Sequence, residues 1–228
     1  MPTAKTTASS QDPRSATRWQ RRRQATEDRI IAAALTLFKE HGYQATSMDM
    51  IATEADVART TVFNHFPRKD ALLLVLLADR RRVVGERLAS SAQQGLDTTA
   101  RIRDAVTHWA RAYERDSRLG AMLIRAWVHA GGPYLPGSTA TADLFTDTLR
   151  AGQHTGDIHA DIDPGIAGLV LFDATTGTLV RWAAGQPGAR SRLAPAMLAS
   201  VDTALAGMLA DTTRLAARRS SGATPQPK

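Results

Sequence analysis

The chain contains no cysteine among its 228 residues. That excludes disulfides, thiolate metal sites and a cysteine nucleophile. Aromatic residues make up only 5% of it. No apolar run approaches the length of a membrane span: the longest clean one is Ala71 to Ala78, against the roughly 20 residues that a spanning helix needs. The N-terminal stretch is charged and lacks the apolar region of a signal peptide, so no secretory leader is expected. No HExxH, GxSxG or phosphate-binding glycine loop occurs. These absences argue against the commoner hydrolase and nucleotide-binding classes, and no cofactor is expected. No alternating strand pattern and no fixed-period repeat appears. What remains is 43% hydrophobic and rich in Ala and Leu, enough for one or two all-α domains with a real core.

Net charge is +7 and unevenly spread. Residues 1–23 hold six Lys/Arg and one Asp, residues 24–70 hold five and seven, and residues 71–228 hold eighteen and fourteen. The first segment is poor in apolar residues and reads as a disordered basic arm, with Arg18, Arg21, Arg22 and Arg23 placed to track a phosphate backbone or enter a minor groove. The alternatives are a solubilising tail or the polar start of a longer first helix.

Helix 1 is expected from Thr26, as N-cap, to His41, with Ile30, Ala34, Leu37 and Phe38 inward and Gly42 ending it. The next stretch, Thr46 to Lys69, reads as two short helices joined by a tight turn. Thr46 or Ser47 caps the first, with Asp49 placed for a capping box after Thr46. Ile51, Ala52 and Ala55 form its apolar face. Asp56 falls where the turn wants a left-handed backbone, which Asp tolerates better than most residues. The second helix, Arg59 to His65, carries Val62 and Phe66 inward and leaves Arg59, Thr60, Thr61 and Asn64 outward. So short a helix with so thin a core suits insertion into a DNA major groove. Pro67 breaks it, and a long helix runs from Asp70 to about Gln93. Its Arg80, Arg81 and Arg82 read as a solvated face.

Residues Gln24 to Leu77 resemble the N-terminal DNA-binding domain of the tetracycline-repressor (TetR) family of bacterial transcriptional regulators. The matching residues are Ile30-Ile31, Ala34, Leu37-Phe38, Gly42-Tyr43, Thr46-Ser47, Ile51-Ala52, Ala55, Val57, Thr61-Val62-Phe63, His65-Phe66-Pro67, Lys69 and Leu72. The chain departs from the family pattern at four places: Asp56 and Thr60 replace Gly, Ala58 replaces a capping Ser, and Phe63 replaces a Tyr whose hydroxyl meets a phosphate. The resemblance implies a non-enzymatic, cytoplasmic, ligand-responsive regulator, repression being the commoner behaviour. It also places a phosphate-contacting Lys at Lys69.

Within that frame Arg59 is the first candidate for a base contact, bidentate to guanine. Thr60 and Thr61 are candidates for a base edge, a thymine methyl or a phosphate, and Phe63 for a thymine methyl or sugar. Thr46, Ser47, Asn64, His65 and Lys69 are phosphate candidates, while Asp49 is expected to face away from DNA or only to cap. The divisions are 1–23 arm, 24–70 helix-turn-helix domain, 71–217 ligand-binding and dimerisation domain, and 218–228 disordered tail.

From Thr98 onward the chain reads as helices only: Thr98–Glu114, Ser117–Ala130, Thr139–His154, Pro164–Ala184 and Arg192–Ala217, for about nine in all. Candidates to line a chamber for a small hydrophobic or amphipathic effector are His108, Trp109, Tyr113, Met122, Arg125, Trp127, Phe145, Leu149, Phe172 and Thr176. The last two helices are apolar on more than one face, which calls for a second partner. Ile166, Leu169, Val170, Leu193, Met197, Val201, Leu205 and Met208 are the expected contacts of a homodimer built as a four-helix bundle, which would set two reading heads on an inverted-repeat operator. Two rival readings stand beside this one. A metal-dependent enzyme would use the cluster His154, Asp157, His159, Asp161 and Asp163. An unliganded architectural DNA binder would have a filled C-terminal core.

Overall fold

The computed structural model describes residues 13–135, 137, 139–185 and 192–209. Among these there are nine α-helices and one short 3-10 turn. They are α1 (Pro13–His41), α2 (Met48–Glu54), α3 (Arg59–His65), α4 (Lys69–Gln93), α5 (Thr98–Glu114), α6 (Ser117–His129), α7 (Ala140–Thr155), α8 (Pro164–Ala184) and α9 (Leu193–Ala206), with the 3-10 turn at Gly132–Tyr134 between α6 and α7. No strand forms among the described residues; the one extended pairing is a bridge between Ile158 and Leu209. The chain divides into two compact units, residues 1–72 and 73–228, within α4.

The first unit is small. Ile30, Ala34, Leu37 and Phe38 of α1, Ile51 and Ala52 of α2, and Val62 of α3 are buried together with Tyr43, Ala55, Phe66 and Leu72. Phe38 and Tyr43 meet at 5.2 Å between ring centroids. α1 starts at Pro13, well before Thr26. Thr26 therefore does not cap it: its hydroxyl donates to the Arg22 carbonyl one turn back, at 3.0 Å. Gly42 ends α1 at φ +81°, donating to the Phe38 carbonyl at 3.1 Å.

The second unit is a helical bundle around α8, which packs on α6, α7 and α9, while α5 packs on α9. Its core is one cluster, filled by Val84 and Leu88 of α4, Ile102 and Trp109 of α5, Phe145 and Leu149 of α7, Leu171 and Phe172 of α8, and Met197 and Val201 of α9. Local capping explains where most of these helices begin. Asp97, Asp116 and Asp163 each accept backbone N–H bonds at the start of α5, α6 and α8, and Pro164 takes the first helical position of α8. The start of α9 is capped from elsewhere. Glu114, at the end of α5, accepts from the Leu193 and Ala194 amides at 2.7 and 3.1 Å. Gly168 lets α7 and α8 approach closely: a Cβ there would meet the Ala142 carbonyl oxygen at 2.8 Å and the Thr146 nitrogen at 2.9 Å.

Candidate functional site

The turn between α2 and α3 is a Schellman closure. The Val57 amide reaches the Ala52 carbonyl and the Asp56 amide the Thr53 carbonyl, at 3.1 and 3.2 Å. Asp56 takes φ +51°, the left-handed conformation that its side chain tolerates. Ser47, not Thr46, caps α2, accepting from the Met50 amide at 3.2 Å. The capping box between Thr46 and Asp49 does not form. Ala58 stands before α3 at the capping position and gives it no side-chain cap. With Val62 buried, α3 leaves Arg59, Thr60 and Asn64 exposed and Thr61, Phe63 and His65 half-buried. These six residues share one short helix, and Ser47 is exposed beside it at the start of α2. The Asp49 carboxylate lies 2.8 Å from Arg59 Nε as an ion pair, and the Arg59 guanidinium carbon stands 5.4 Å from the centre of the Phe63 ring.

Two of the expected phosphate ligands are committed inside the unit. Thr46 is buried, and its hydroxyl is engaged with the Gly42 and Leu37 carbonyls at 2.9 and 3.3 Å. Lys69 Nζ donates to the carbonyls of Tyr43 and Thr46 at 2.6 and 2.8 Å, with Gln44 further off at 3.4 Å. It also stands 4.4 Å from the Tyr43 ring centre. An ammonium has three donors, and all three point at the loop between α1 and α2. Lys69 is thus an internal clamp on that loop rather than a free cation at a helix start. Burial lowers its pKa, against the pull of Asp70. Asp70 completes the clamp. It accepts from the Tyr43 hydroxyl at 2.7 Å and from Arg68 at 2.6 Å. The Tyr43 bond, with Arg68 and Lys69 adding, holds its carboxyl below the usual carboxylate range against the cost of burial. Burial and Asp70 push the Tyr43 hydroxyl far up.

The basic segment before the helix-turn-helix is not an irregular arm where it is described. Arg18, Arg21, Arg22 and Arg23 are exposed on the first turns of α1, and Arg23 stacks over Trp19 at 5.6 Å. Ala, Gln and Arg are good helix formers, and no Gly or Pro follows Pro13 before Gly42. Residues 1–12 of the expected arm lie outside the described residues, as does the whole of the expected tail, 218–228.

In the second unit a cavity of about 70 Å³ opens between α4, α5, α6, α7 and α8. Trp109, Tyr113, Trp127, Phe172 and Thr176, five of the ten chamber candidates, line it. The other five do not. Phe145 and Leu149 are fully buried in the core behind it. His108 turns to Asp104, whose backbone carbonyl lies 2.9 Å from its Nδ1, and Met122 is half-buried away from the lining. Arg125 is exposed and donates to the Ala183 carbonyl at 2.8 Å. The remaining walls are Leu74, Leu77, Ala78 and Arg81 of α4, with Ile124, Gly137, Thr141 and Leu179. Sequence periodicity missed the α4 side, because the arginine run disguised an inward face. Arg80 donates to the Ala112 carbonyl at 2.7 Å and lies 4.9 Å from the Tyr113 ring. Arg81 donates to the Gly137 carbonyl at 2.9 Å. Only Arg82 of the three is the surface residue expected, pairing with Asp79 and Glu86. Burial, against the charge of Arg80, pushes the Tyr113 hydroxyl up to about 12.

The dimer candidates divide in the same way. Ile166, Leu169 and Val170 stand exposed on α8. Leu193, Met197, Val201, Leu205 and Met208 are buried in the chain's own core, so they are not free to meet a second copy. The second apolar face of α9 is answered by α5 and α8 of the same chain. The His/Asp cluster is a loop with structural duties. Asp157 accepts from the Thr98 amide and hydroxyl at 3.2 and 3.0 Å. Asp163 caps α8, and Gln153 binds the His159 and Ile162 carbonyls. Among the described residues no group of three or more His, Asp or Glu side chains could hold a metal ion.

Residues 30–76 match the sequence profile of the bacterial regulatory proteins of the tetR family. The A-factor receptor protein of Streptomyces griseus is 27% identical over 149 residues, which are 65% of this chain and 51% of that one. The chain thus spans about half the length of that relative. The transcriptional repressor KstR of Rhodococcus jostii is 29% identical over 154 residues, 68% of this chain and 71% of that one. Among solved structures, the TetR-family repressor FadR of Thermus thermophilus, in complex with lauroyl-CoA, superposes with a TM-score of 0.65 at 27% identity, over 88% of this chain and 98% of that one. SmeT, the repressor of a Stenotrophomonas maltophilia efflux pump, shares the fold at the same TM-score and 23% identity, over 90% of this chain and 98% of that one. With its buried three-helix head and its all-helical second unit, the chain carries at residues 30–76 the sequence profile of the tetR family of bacterial regulatory proteins, and is similar to TetR-family regulators over most of its length.

Proposed function

We propose that the protein is a transcriptional repressor that binds an inverted-repeat DNA operator as a homodimer and is released by a small effector. The observation that carries this reading is α3. It is seven residues long, buries Val62, and presents Arg59, Thr60 and Asn64 to solvent, as a helix that enters a major groove must. Thr61, Phe63 and His65 flank that face, and Ser47 stands at the α2 start where a phosphate would lie. The exposed arginines Arg21, Arg22 and Arg23 supply sequence-independent attraction to phosphates. Residues 24–70 form the DNA-binding domain and residues 71–217 the effector and dimer domain. No described helix is long and apolar enough to cross a membrane, and we place the protein in the cytoplasm with its DNA.

The effector is apolar or amphipathic and enters the aromatic cavity walled by Trp109, Tyr113, Trp127 and Phe172. Pockets for such molecules usually measure about 300–1,000 Å³, so a cavity of about 70 Å³ must widen to admit one. The work of widening is what couples binding to release: an effector that favours an opened second unit disfavours whatever arrangement holds DNA, by the same free energy. α4 contributes Leu74, Leu77 and Arg81 to the cavity, and the same helix begins at Lys69 in the DNA-binding unit. FadR, whose structure holds lauroyl-CoA, offers a precedent for an acyl-type effector. The dimer forms through the exposed α8 face of Ile166, Leu169 and Val170.

Selection of bound duplexes from random DNA tests the reading. The expected product is an inverted repeat with half-sites about one helical turn or more apart. A variant carrying Leu169→Lys and Val170→Lys elutes as a monomer and loses affinity for the full site. Recovery of no preferred sequence at moderate salt would defeat the proposal.

A further inference from the structure

A carboxylate at a surface built to approach DNA needs a reason. Asp49 is exposed on α2, and its partner Arg59 opens α3 ten residues later. The pair is open to water, with side chains 59% and 67% exposed, so it contributes little to stability. Near phosphates the charge of Asp49 weakens binding to every sequence alike. The atoms involved suggest what it does instead. Asp49 Oδ1 lies 2.8 Å from Nε of Arg59, as an ion pair. A guanidinium carries five N–H donors, one on Nε and four on the two terminal nitrogens. A carboxylate on the Nε edge leaves the terminal pair to other partners, and that pair is the fork that grips O6 and N7 of guanine. Phe63, one turn along α3, puts its ring 5.4 Å from the guanidinium carbon. Carboxylate and ring thus flank the guanidinium before DNA arrives.

We propose that Asp49 is a specificity-determining positioning residue, which holds Arg59 so that its terminal fork meets a guanine in the operator half-site. This rests on the DNA-reading role of α3 proposed above. Without Asp49 the long side chain of Arg59 is free to swing to a neighbouring phosphate, and affinity is then gained on all sequences while discrimination is lost. A fixed arginine discriminates because a wrong base leaves its donors unanswered and cannot recruit it elsewhere.

The test is sequence selection and competition binding with the full-length protein, its Asp49→Ala and Arg59→Ala variants, and the double variant, each first shown to unfold at the wild-type temperature. Wild type is expected to prefer guanine at one position of each half-site by roughly tenfold or more. Asp49→Ala lowers that preference to about threefold or less, leaves the preferences at other positions in place, and binds random duplex more tightly. In the Arg59→Ala background, Asp49→Ala changes no base preference. The proposal is overturned if Asp49→Ala keeps the full guanine preference, if it alters preferences equally with and without Arg59, or if Arg59→Ala itself changes none. A wild-type protein that selects no sequence refutes the DNA-reading role, an outcome separate from these three.

Discussion

Replacing Lys69 by Met separates a clamp from a phosphate ligand. The side chain keeps most of its apolar stem and loses its ammonium. Two short bonds are lost, to the Tyr43 and Thr46 carbonyls at 2.6 and 2.8 Å, with a third, weak one to Gln44 at 3.4 Å. Hydrogen bonds to a charged group contribute about 1.5–3 kcal/mol each at best. Half-exposure and the cost of burying the ammonium reduce that to about 1 kcal/mol for each short bond. The cation over Tyr43 adds about 0.5–1 kcal/mol. The expected loss is about 3 kcal/mol, a large part of the stability of so small a unit. The assay is amide hydrogen exchange, which reports the first unit separately from the second. Buried amides of α2 and α3, Val62 among them, should exchange about 100-fold faster at neutral pH, since every 1.4 kcal/mol is tenfold. Operator binding at low temperature, where the unit remains folded, should keep the wild-type dependence on salt. Were Lys69 instead to neutralise a phosphate, exchange would stay unchanged and the slope of log affinity against log salt would drop by about 0.9 per contact. That pair of results would refute the clamp.

Three further outcomes follow from single features. Ala58→Ser supplies the missing cap of α3 and should stabilise the first unit by about 1 kcal/mol, measured by the same exchange experiment. Gly168→Ala forces a methyl against the backbone of α7 and should cost the second unit about 1–3 kcal/mol in denaturant unfolding. The Tyr43–Asp70 bond makes the first unit sensitive to pH at both extremes. The folded carboxyl of Asp70 lies below its unfolded value of about 3.9, so its contribution is present above that value and is lost as pH falls below it. The folded hydroxyl of Tyr43 lies above its unfolded value of about 10, so its contribution is full below that pH and is lost as pH rises past it. Tyr43→Phe should blunt both limbs in pH-dependent exchange of the α2 and α3 amides.

What the sequence by itself determined is what short-range chemistry controls. The limits of α3 and α8, the stop at Gly42 and the left-handed turn at Asp56 all depend on residues within a few positions of one another, and each was legible. So were Arg59, Thr60 and Asn64 on the outward side of α3, since the periodicity of seven residues settles which side holds Val62, while Thr61 is half-buried. The fold class followed from the same signals. Only the tertiary structure decided which neighbour an apolar or charged face would meet. α9 is apolar on more than one face, and nothing local distinguishes burial against α5 and α8 of its own chain from burial against a second copy. Lys69 reaches carbonyls 23 and 26 residues back, and Arg81 one 56 residues ahead. A long cationic side chain has several partners within reach and takes the unanswered carbonyls that folding brings to it. The Asp49–Arg59 pair has the same origin: a turn places α2 beside α3, and two charges that read separately as a capping or outward-turned carboxylate and a base contact stand together.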